Sequence, residues 1–140
     1  KAYTVLGDSV NLGARLEGLT KFYGVKILVG EETREQGTDY LFRFIDRIKV
    51  KGKDEPINAY EPLGLAEQIE PSVKQELADY HQAMEAYRAQ KWGAAGQQFS
   101  SLKTHFQNRK VYDIYLERIE QLRHQTLEAD WDGTFTHTSK

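Results

Sequence analysis

The chain contains no cysteine, and that absence excludes a disulfide scaffold, a thiolate zinc site and a cysteine nucleophile. Proline is scarce, with 3 residues in 140, and no apolar run approaches the roughly 20 residues that a membrane-spanning helix requires. Neither sign of charge dominates, because 19 Lys and Arg are balanced by 21 Asp and Glu. A globally basic nucleic-acid binder is therefore not expected, and we predict no nucleic-acid partner and no membrane contact in this segment.

The composition that remains is typical of a globular protein, with 39% hydrophobic and 29% charged residues. The chain opens at Lys1 without an initiator Met or a signal peptide, so we expect it to be a piece of a longer protein. Pro62, Gly64 and Pro71 flank a polar, acidic stretch, which predicts a boundary between two modules. The expected parts are a first module, a linker, a helical module and an extended tail, at residues 1–64, 65–71, 72–125 and 126–140.

The first module mixes strand-like and helix-like segments in the order β-α-β-α-β-β, which indicates an α+β fold. Apolar residues from Leu12 to Tyr23 recur every three or four positions, and this spacing predicts one helix that Gly24 ends. Val25–Val29 is predicted to be a buried strand. The other predicted elements are a strand at Tyr3–Leu6, a short helix at Glu31–Gln36, and strands at Tyr40–Val50 and Ile57–Tyr60.

The helical module carries three apolar stripes with helical spacing, which predict three amphipathic helices that form each other's core. The segment from about Tyr80 to Phe106 is similar to a tetratricopeptide unit. A different interpretation is that the aromatic residues anchor a protein partner. Those residues are Tyr80, Tyr87, Trp92, Phe99, Phe106, Tyr112 and Tyr115.

Asn11 and Arg15 are four residues apart, so they share one face of the predicted helix. An amide beside a guanidinium offers N–H donors suited to a phosphate or to a developing oxyanion, and the positive end of the helix dipole lies nearby. The same spacing also suits an exposed polar face that follows a capping turn. From spacing alone, both interpretations stay open.

A second basic feature lies at the end of the Tyr40–Val50 segment. Arg47, Lys49, Lys51 and Lys53 alternate with other residues, which places the cations on one face of a strand. This face suits a polyphosphate, although lysines also protect edge strands from aggregation. The four histidines lie far apart in the sequence and lack metal-ligand spacing, so no metal site is predicted.

The stretch Thr4–Glu17 closely resembles the second signature of the class III nucleotide cyclases, the adenylate and guanylate cyclase catalytic domain. Val50–Lys53, followed by Pro56 and Tyr60, resembles the closing hairpin of that domain. The resemblance covers about residues 1–64 and implies the C-terminal part of a ferredoxin-like cyclase domain. The helical module that follows is similar to C-terminal extensions of bacterial membrane-anchored sensor cyclases, which implies a cytoplasmic position.

The resemblance also implies a role for each matching residue. Asn11 would orient the ribose, and Arg15 would neutralise charge on the α-phosphate. Lys51 would hold the terminal phosphates, while Thr4 stands where the family reads the base and favours ATP. In the family, the site forms between two cyclase domains packed head to tail, so a homodimer is expected.

The implied activity is that of an adenylate cyclase, which converts ATP to cyclic AMP and pyrophosphate with Mg or Mn. The two metal-holding aspartates belong to the family's first half, which is absent from this chain, so the fragment alone is expected to be inactive. One alternative is a non-catalytic cyclase-like remnant whose helical module binds a protein partner. Another is a guanylate cyclase.

Overall fold

The computed structural model describes residues 8–50 and 55–138, which fold as two units. The first unit contains the residues up to Ile69 and those from Gly133 onward, and the second contains Glu70–Asp132. The described residues form six α-helices and a small sheet of three strands, so the predicted mixture of helices and strands is confirmed.

The first unit holds helices α1 (Val10–Glu17), α2 (Thr20–Tyr23) and α3 (Glu31–Gln36), strands β1 (Tyr40–Val50), β2 (Ile57–Leu65) and β3 (Phe135–His137), and a 3₁₀ helix at Ala66–Gln68. The second unit holds helices α4 (Pro71–Arg88), α5 (Trp92–His105) and α6 (Lys110–Leu122). The predicted bounds of α3 and β1 are confirmed.

The single helix predicted over Leu12–Tyr23 is wrong, because the structure divides it into α1 and α2. Gly18 ends α1. Its N–H donates to the carbonyl of Ala14, and the next N–H, that of Leu19, donates to the carbonyl of Leu16. Glycine has a low helix propensity, and here it interrupts an apolar stripe that otherwise keeps helical spacing. Gly24 ends α2 with a left-handed φ of 71°, as the sequence predicts.

The strand predicted at Val25–Val29 is also wrong in extent, since the described segment forms one isolated bridge. Val29 pairs with Tyr60, and their N–H and carbonyl groups exchange two hydrogen bonds of 2.9 Å. Leu28 and Val29 are nevertheless buried, at 1% and 0% exposure. An apolar run predicts burial, whereas a strand also needs a partner with matching hydrogen bonds.

The sheet has the order β2-β1-β3. β1 and β2 form an antiparallel hairpin whose register shifts between Leu41 and Phe42 and again between Phe44 and Asp46. β3 comes from the far end of the chain and runs parallel to β1, with Ile48 opposite Phe135. The predicted tail therefore divides in the structure, because residues 126–132 lie in the second unit and 133–138 in the first.

The helical unit is built around the aromatic residues that the sequence offered as partner anchors. Tyr80, Phe99, Tyr112 and Tyr115 are fully buried, and Tyr87 is 2% exposed. Their rings pack against each other, with Phe99 and Tyr115 stacked at 5.3 Å between centroids. The interpretation of these five rings as exposed anchors is therefore wrong, because helical spacing turns them towards the neighbouring helices. Trp92 and Phe106 are half-buried.

A buried carboxylate joins α4 to the start of α6. Glu76 is 1% exposed, and it accepts hydrogen bonds from the Tyr112 hydroxyl at 2.5 Å and from Arg109 Nε at 2.9 Å. Arg109 Nη2 donates to the second oxygen at 3.1 Å. A buried charge requires such partners, and these donors stabilise the arrangement of the two helices.

Candidate functional site

The candidate site begins at the N-terminus of α1, where Ser9 is the capping residue. The Ser9 hydroxyl accepts a hydrogen bond from the backbone N–H of Leu12 at 3.1 Å. Asn11 and Arg15 both lie in α1, one helical turn apart, with Asn11 exposed and Arg15 half-buried. The structure therefore brings these two predicted residues onto one helix.

Asp8 attaches the start of α1 to the start of α3. Its carboxylate accepts hydrogen bonds from the backbone N–H of Gly30 at 2.7 Å and of Thr33 at 3.3 Å. The Asp8 N–H in turn donates to the Thr33 hydroxyl at 3.2 Å. Each carboxylate oxygen thus accepts a hydrogen bond from a backbone N–H at the start of α3, where negative charge is favoured.

Gly30 permits this close approach. A Cβ atom at Gly30 would lie 2.9 Å from Asp8 Oδ1 and 3.0 Å from Leu12 Cδ2, both shorter than ordinary contacts. The backbone of Gly30 is extended, with φ −93°, so space rather than conformation favours glycine here. The sequence gives no signal for this contact, because the two residues are separated by 22 positions.

A groove of about 370 Å³ opens beside this attachment. Its apolar side chains are Leu12, Pro56 and Ile57, and its polar residues are Asp8, Ser9, Glu31, Glu32, Arg47 and Asn58. Neither Asn11 nor Arg15 lines it. The groove therefore belongs to the same unit as the predicted catalytic pair but is a separate feature of its surface.

Glu31 is the centre of a polar network beside the groove. The Tyr60 hydroxyl donates to Glu31 Oε1 at 2.8 Å, and Arg34 Nε donates to Oε2 at 3.0 Å. Burial alone would raise the pKa of Glu31, but the hydrogen bonds from Arg34 and Tyr60 and the charge of Arg34 outweigh it and lower that pKa. Glu31 is therefore held as a carboxylate and is poorly suited to act as a general acid.

Tyr60 shares that network from the strand side. Burial and its hydrogen bond to Glu31 both raise the pKa of the Tyr60 hydroxyl. The Arg34 guanidinium lies over the Tyr60 ring at 4.8 Å from the centroid, a distance that permits a cation–π contact. Tyr60 is therefore held as a neutral donor.

The basic face of β1 is confirmed for its described part. Arg47 and Lys49 are half-buried, whereas Ile48 between them is 1% exposed. Arg47 Nη1 donates to Asn58 Oδ1 at 3.1 Å, which holds the guanidinium at the groove. The edge-strand interpretation is wrong at Ile48, which pairs with Ile57 of β2 on one side and with Phe135 of β3 on the other.

Thr4 and Lys51, the two predicted substrate-binding residues, lie outside the described residues, as does Lys53. The structure thus tests neither their positions nor their distances from Asn11 and Arg15. Within residues 8–50 and 55–138, no group of three or more His, Asp or Glu side chains is arranged to hold a metal ion. In the same ranges, no helix is long and apolar enough to cross a membrane.

The sequence reasoning missed a buried hydrogen-bond chain that includes Asp46, the residue before Arg47 in β1. The Tyr23 hydroxyl lies 2.5 Å from Asp46 Oδ2 and 2.8 Å from His137 Nε2. Asp46 is 1% exposed and His137 is 8% exposed. Tyr23 and His137 are separated by 114 residues, and no local pattern links them.

Comparison with known proteins gives three curated relatives. A terminal-differentiation specific adenylate cyclase of Dictyostelium discoideum is 32% identical over 123 residues, which cover 84% of this chain and 6% of that protein. An adenylate cyclase of Anabaena cylindrica is 48% identical over 62 residues, which cover 41% of this chain and 12% of the relative. Adenylate cyclase 1 of Rhizobium meliloti is 35% identical over 68 residues, which cover 48% of this chain and 10% of that cyclase.

The chain carries an adenylate cyclase-like region. It spans only 6% to 12% of the length of these relatives. The Dictyostelium match is longer than the first unit, so the similarity to that cyclase extends into the helical unit. No family model matches the chain, and no solved structure matches it.

Proposed function

We propose that this chain is the C-terminal half of a class III adenylate cyclase domain, of ferredoxin-like fold, followed by a tetratricopeptide-like extension. The observation that carries the proposal is the placement of Asn11 and Arg15 one turn apart on α1, with Asn11 in the first turn after the Ser9 cap and Arg15 in the last turn. The names of the three relatives support adenylate cyclase activity. The activity belongs to a longer protein that contains this stretch.

In the proposed reaction, the ribose 3′-hydroxyl of ATP attacks the α-phosphorus. A bond forms between the 3′ oxygen and the α-phosphorus, and the bond between the α-phosphorus and the oxygen that bridges to the β-phosphate breaks. Pyrophosphate leaves, and the hydroxyl proton passes to solvent. Arg15 neutralises charge on the α-phosphate, and Asn11 orients the ribose. Lys51 holds the terminal phosphates and Thr4 reads the base. Phosphoryl transfer depends mainly on such positioning and charge neutralisation.

Mg²⁺ or Mn²⁺ would supply charge stabilisation in the complete enzyme. Asp8 is not assigned to the metal, since its buried carboxylate already accepts two backbone hydrogen bonds. The proposal therefore places the metal on residues outside this chain and makes the site composite, with a second cyclase domain in a homodimer. It also places the segment in the cytoplasm, with the helical unit available to a protein partner.

The test uses the full-length protein and the variants Arg15→Ala and Asn11→Ala. Removing a donor that acts in the transition state should lower kcat by roughly 100-fold or more with a smaller change in KM. Arg123→Ala is the matched control, because Arg123 is an exposed arginine of the helical unit that pairs with Glu120. Cyclic AMP formation is measured with ATP, and cyclic GMP formation with GTP.

Three outcomes are informative. An unchanged turnover in both α1 variants would remove their assigned roles. Turnover of GTP in preference to ATP would favour the guanylate cyclase alternative. A full-length protein that forms neither cyclic nucleotide would favour the non-catalytic remnant.

A further inference from the structure

We propose that strand β3 positions the basic face of β1 for phosphate binding, with Tyr23 and His137 as the positioning residues. The inference rests on the proposed function, in that pyrophosphate is a product of the proposed reaction. Under this inference, β3 is part of the unit that binds the nucleotide. The 63 residues of the helical unit, Glu70–Asp132, lie between β2 and β3 in the sequence.

The first contact is through the backbone. β3 lies parallel to the last three residues of β1, with Ile48 opposite Phe135 and Lys49 opposite Thr136. Lys49 is one of the two described cations of the basic face. Backbone pairing opposes local opening of a strand, so the pairing of Lys49 with Thr136 holds the part of β1 that carries this cation.

The second contact is through the chain Asp46–Tyr23–His137. Asp46 Oδ2 accepts the Tyr23 hydroxyl, while Oδ1 accepts the backbone N–H of Arg47 at 2.9 Å. Tyr23 has one hydroxyl proton, and it donates that proton to the Asp46 carboxylate. His137 must then donate its Nε2–H to the Tyr23 oxygen, which fixes the protonated nitrogen of the imidazole.

This chain holds β1 at an irregularity that determines where Arg47 points. The register between β1 and β2 shifts between Phe44 and Asp46, immediately before Arg47. Such a shift changes the direction in which the following side chains project. Past it, Arg47 lies opposite Asn58, donates to its amide oxygen and lines the groove.

Aromatic packing supports the same strand. The Phe22 ring contacts His137 edge-on at 4.8 Å between centroids and stacks with Phe135 at 6.3 Å. Phe135 also contacts His137 at 4.9 Å. Three rings and one buried hydrogen-bond chain thus hold β3, a strand of only three residues.

The test uses the 140-residue chain with two changes. Tyr23→Phe removes the hydroxyl and keeps the ring, whereas truncation after Asp132 removes β3. The truncation leaves Trp131, whose ring packs against Tyr87 and Trp92 of the helical unit. Tyr40→Phe is the matched control, since Tyr40 begins the same strand and is 37% exposed.

Hydrogen exchange and ¹⁵N NMR test the structural half of the proposal. Amides of residues 47–50 should exchange roughly tenfold faster in both changed chains, and those of the helical unit should not. The His137 ring of the unchanged chain should show a protonated Nε2, and Tyr23→Phe should remove that preference. Unaltered exchange at residues 47–50 would overturn the proposal.

Titration with inorganic pyrophosphate tests the binding half. The unchanged chain and Tyr40→Phe should bind pyrophosphate with shifts at Arg47 and Lys49, and Tyr23→Phe should weaken that binding by roughly fivefold. No binding, or equal binding in all variants, would overturn the positioning role. Pyrophosphate binding in this pattern beside a full-length protein without cyclase activity would refute the proposed function and leave this inference standing.

Discussion

The contact between Asp8 and Gly30 gives the sharpest prediction about the first unit. Gly30→Ala should destabilise this unit by about 1–3 kcal/mol, the usual cost of overpacking, because the new methyl group would lie 2.9 Å from Asp8 Oδ1. Asp8→Ala should cost about 2–3 kcal/mol, since it removes one strong and one long hydrogen bond to backbone N–H groups.

The double variant separates steric strain from lost hydrogen bonding. Without the Asp8 carboxylate, the closest contact of the new methyl group at position 30 is Leu12 Cδ2 at 3.0 Å, the flexible end of a side chain. Gly30→Ala should then cost less than about 1 kcal/mol, so the two changes should be clearly non-additive, beyond the roughly 0.5 kcal/mol scatter of independent sites. Costs that add within that scatter would refute the steric argument.

The assay must observe the first unit directly. Both tryptophans of the chain, Trp92 and Trp131, lie in the helical unit, so intrinsic tryptophan fluorescence reports the wrong part of the protein. Hydrogen exchange of the paired amides of Val29 and Tyr60 reports opening of the first unit. The helical-unit amides serve as the internal control and should not change.

Two further predictions concern the polar networks. The pKa of Glu31 is lowered in the folded unit, so its ionised form stabilises that unit at pH values above the ordinary pKa of a glutamate. This stabilisation is lost as the pH falls through the lowered pKa. Tyr60→Phe removes a donor, so NMR titration should give a higher pKa for Glu31 than in the unchanged chain; an equal or lower pKa would contradict the network. Tyr112→Phe should lower the stability of the helical unit by about 1.5–3 kcal/mol, because its hydroxyl donates to the buried Glu76; urea unfolding followed by tryptophan fluorescence measures this, and an unchanged midpoint would contradict it.

Local signals in the sequence were sufficient for the elements with clear ends. Gly30 and Gly37 flank α3, and the structure gives this helix the predicted bounds. The three helices of the second unit follow from their apolar stripes in the same way. Where the local signal was ambiguous, prediction failed: Gly18 within an apolar stripe ends a helix, and the apolar run at Val25–Val29 forms only a bridge.

The candidate site was predictable only in part, for a related reason. The spacing of Asn11 and Arg15 within one helix is a local property, and the structure retains it. The contacts that hold α1 and β1 in place join residues separated by 22 and 114 positions, Asp8 with Gly30 and Tyr23 with His137. Such pairs follow from the tertiary fold, and no helical or strand periodicity encodes them.

The use of carboxylates in the first unit bears directly on its chemistry. The Asp8 carboxylate accepts a hydrogen bond from a backbone N–H at the start of α3. The Glu31 carboxylate accepts hydrogen bonds from Arg34 and Tyr60. The Asp46 carboxylate accepts hydrogen bonds from the Tyr23 hydroxyl and from the backbone N–H of Arg47. Each of these carboxylates therefore has a structural role, and each would lose intramolecular hydrogen bonds if it bound a metal ion. An exposed amide and a half-buried guanidinium on α1 can donate to a ligand without dismantling any of these contacts. For these three carboxylates, this division agrees with the proposal that α1 stabilises negative charge while a second surface holds the metal.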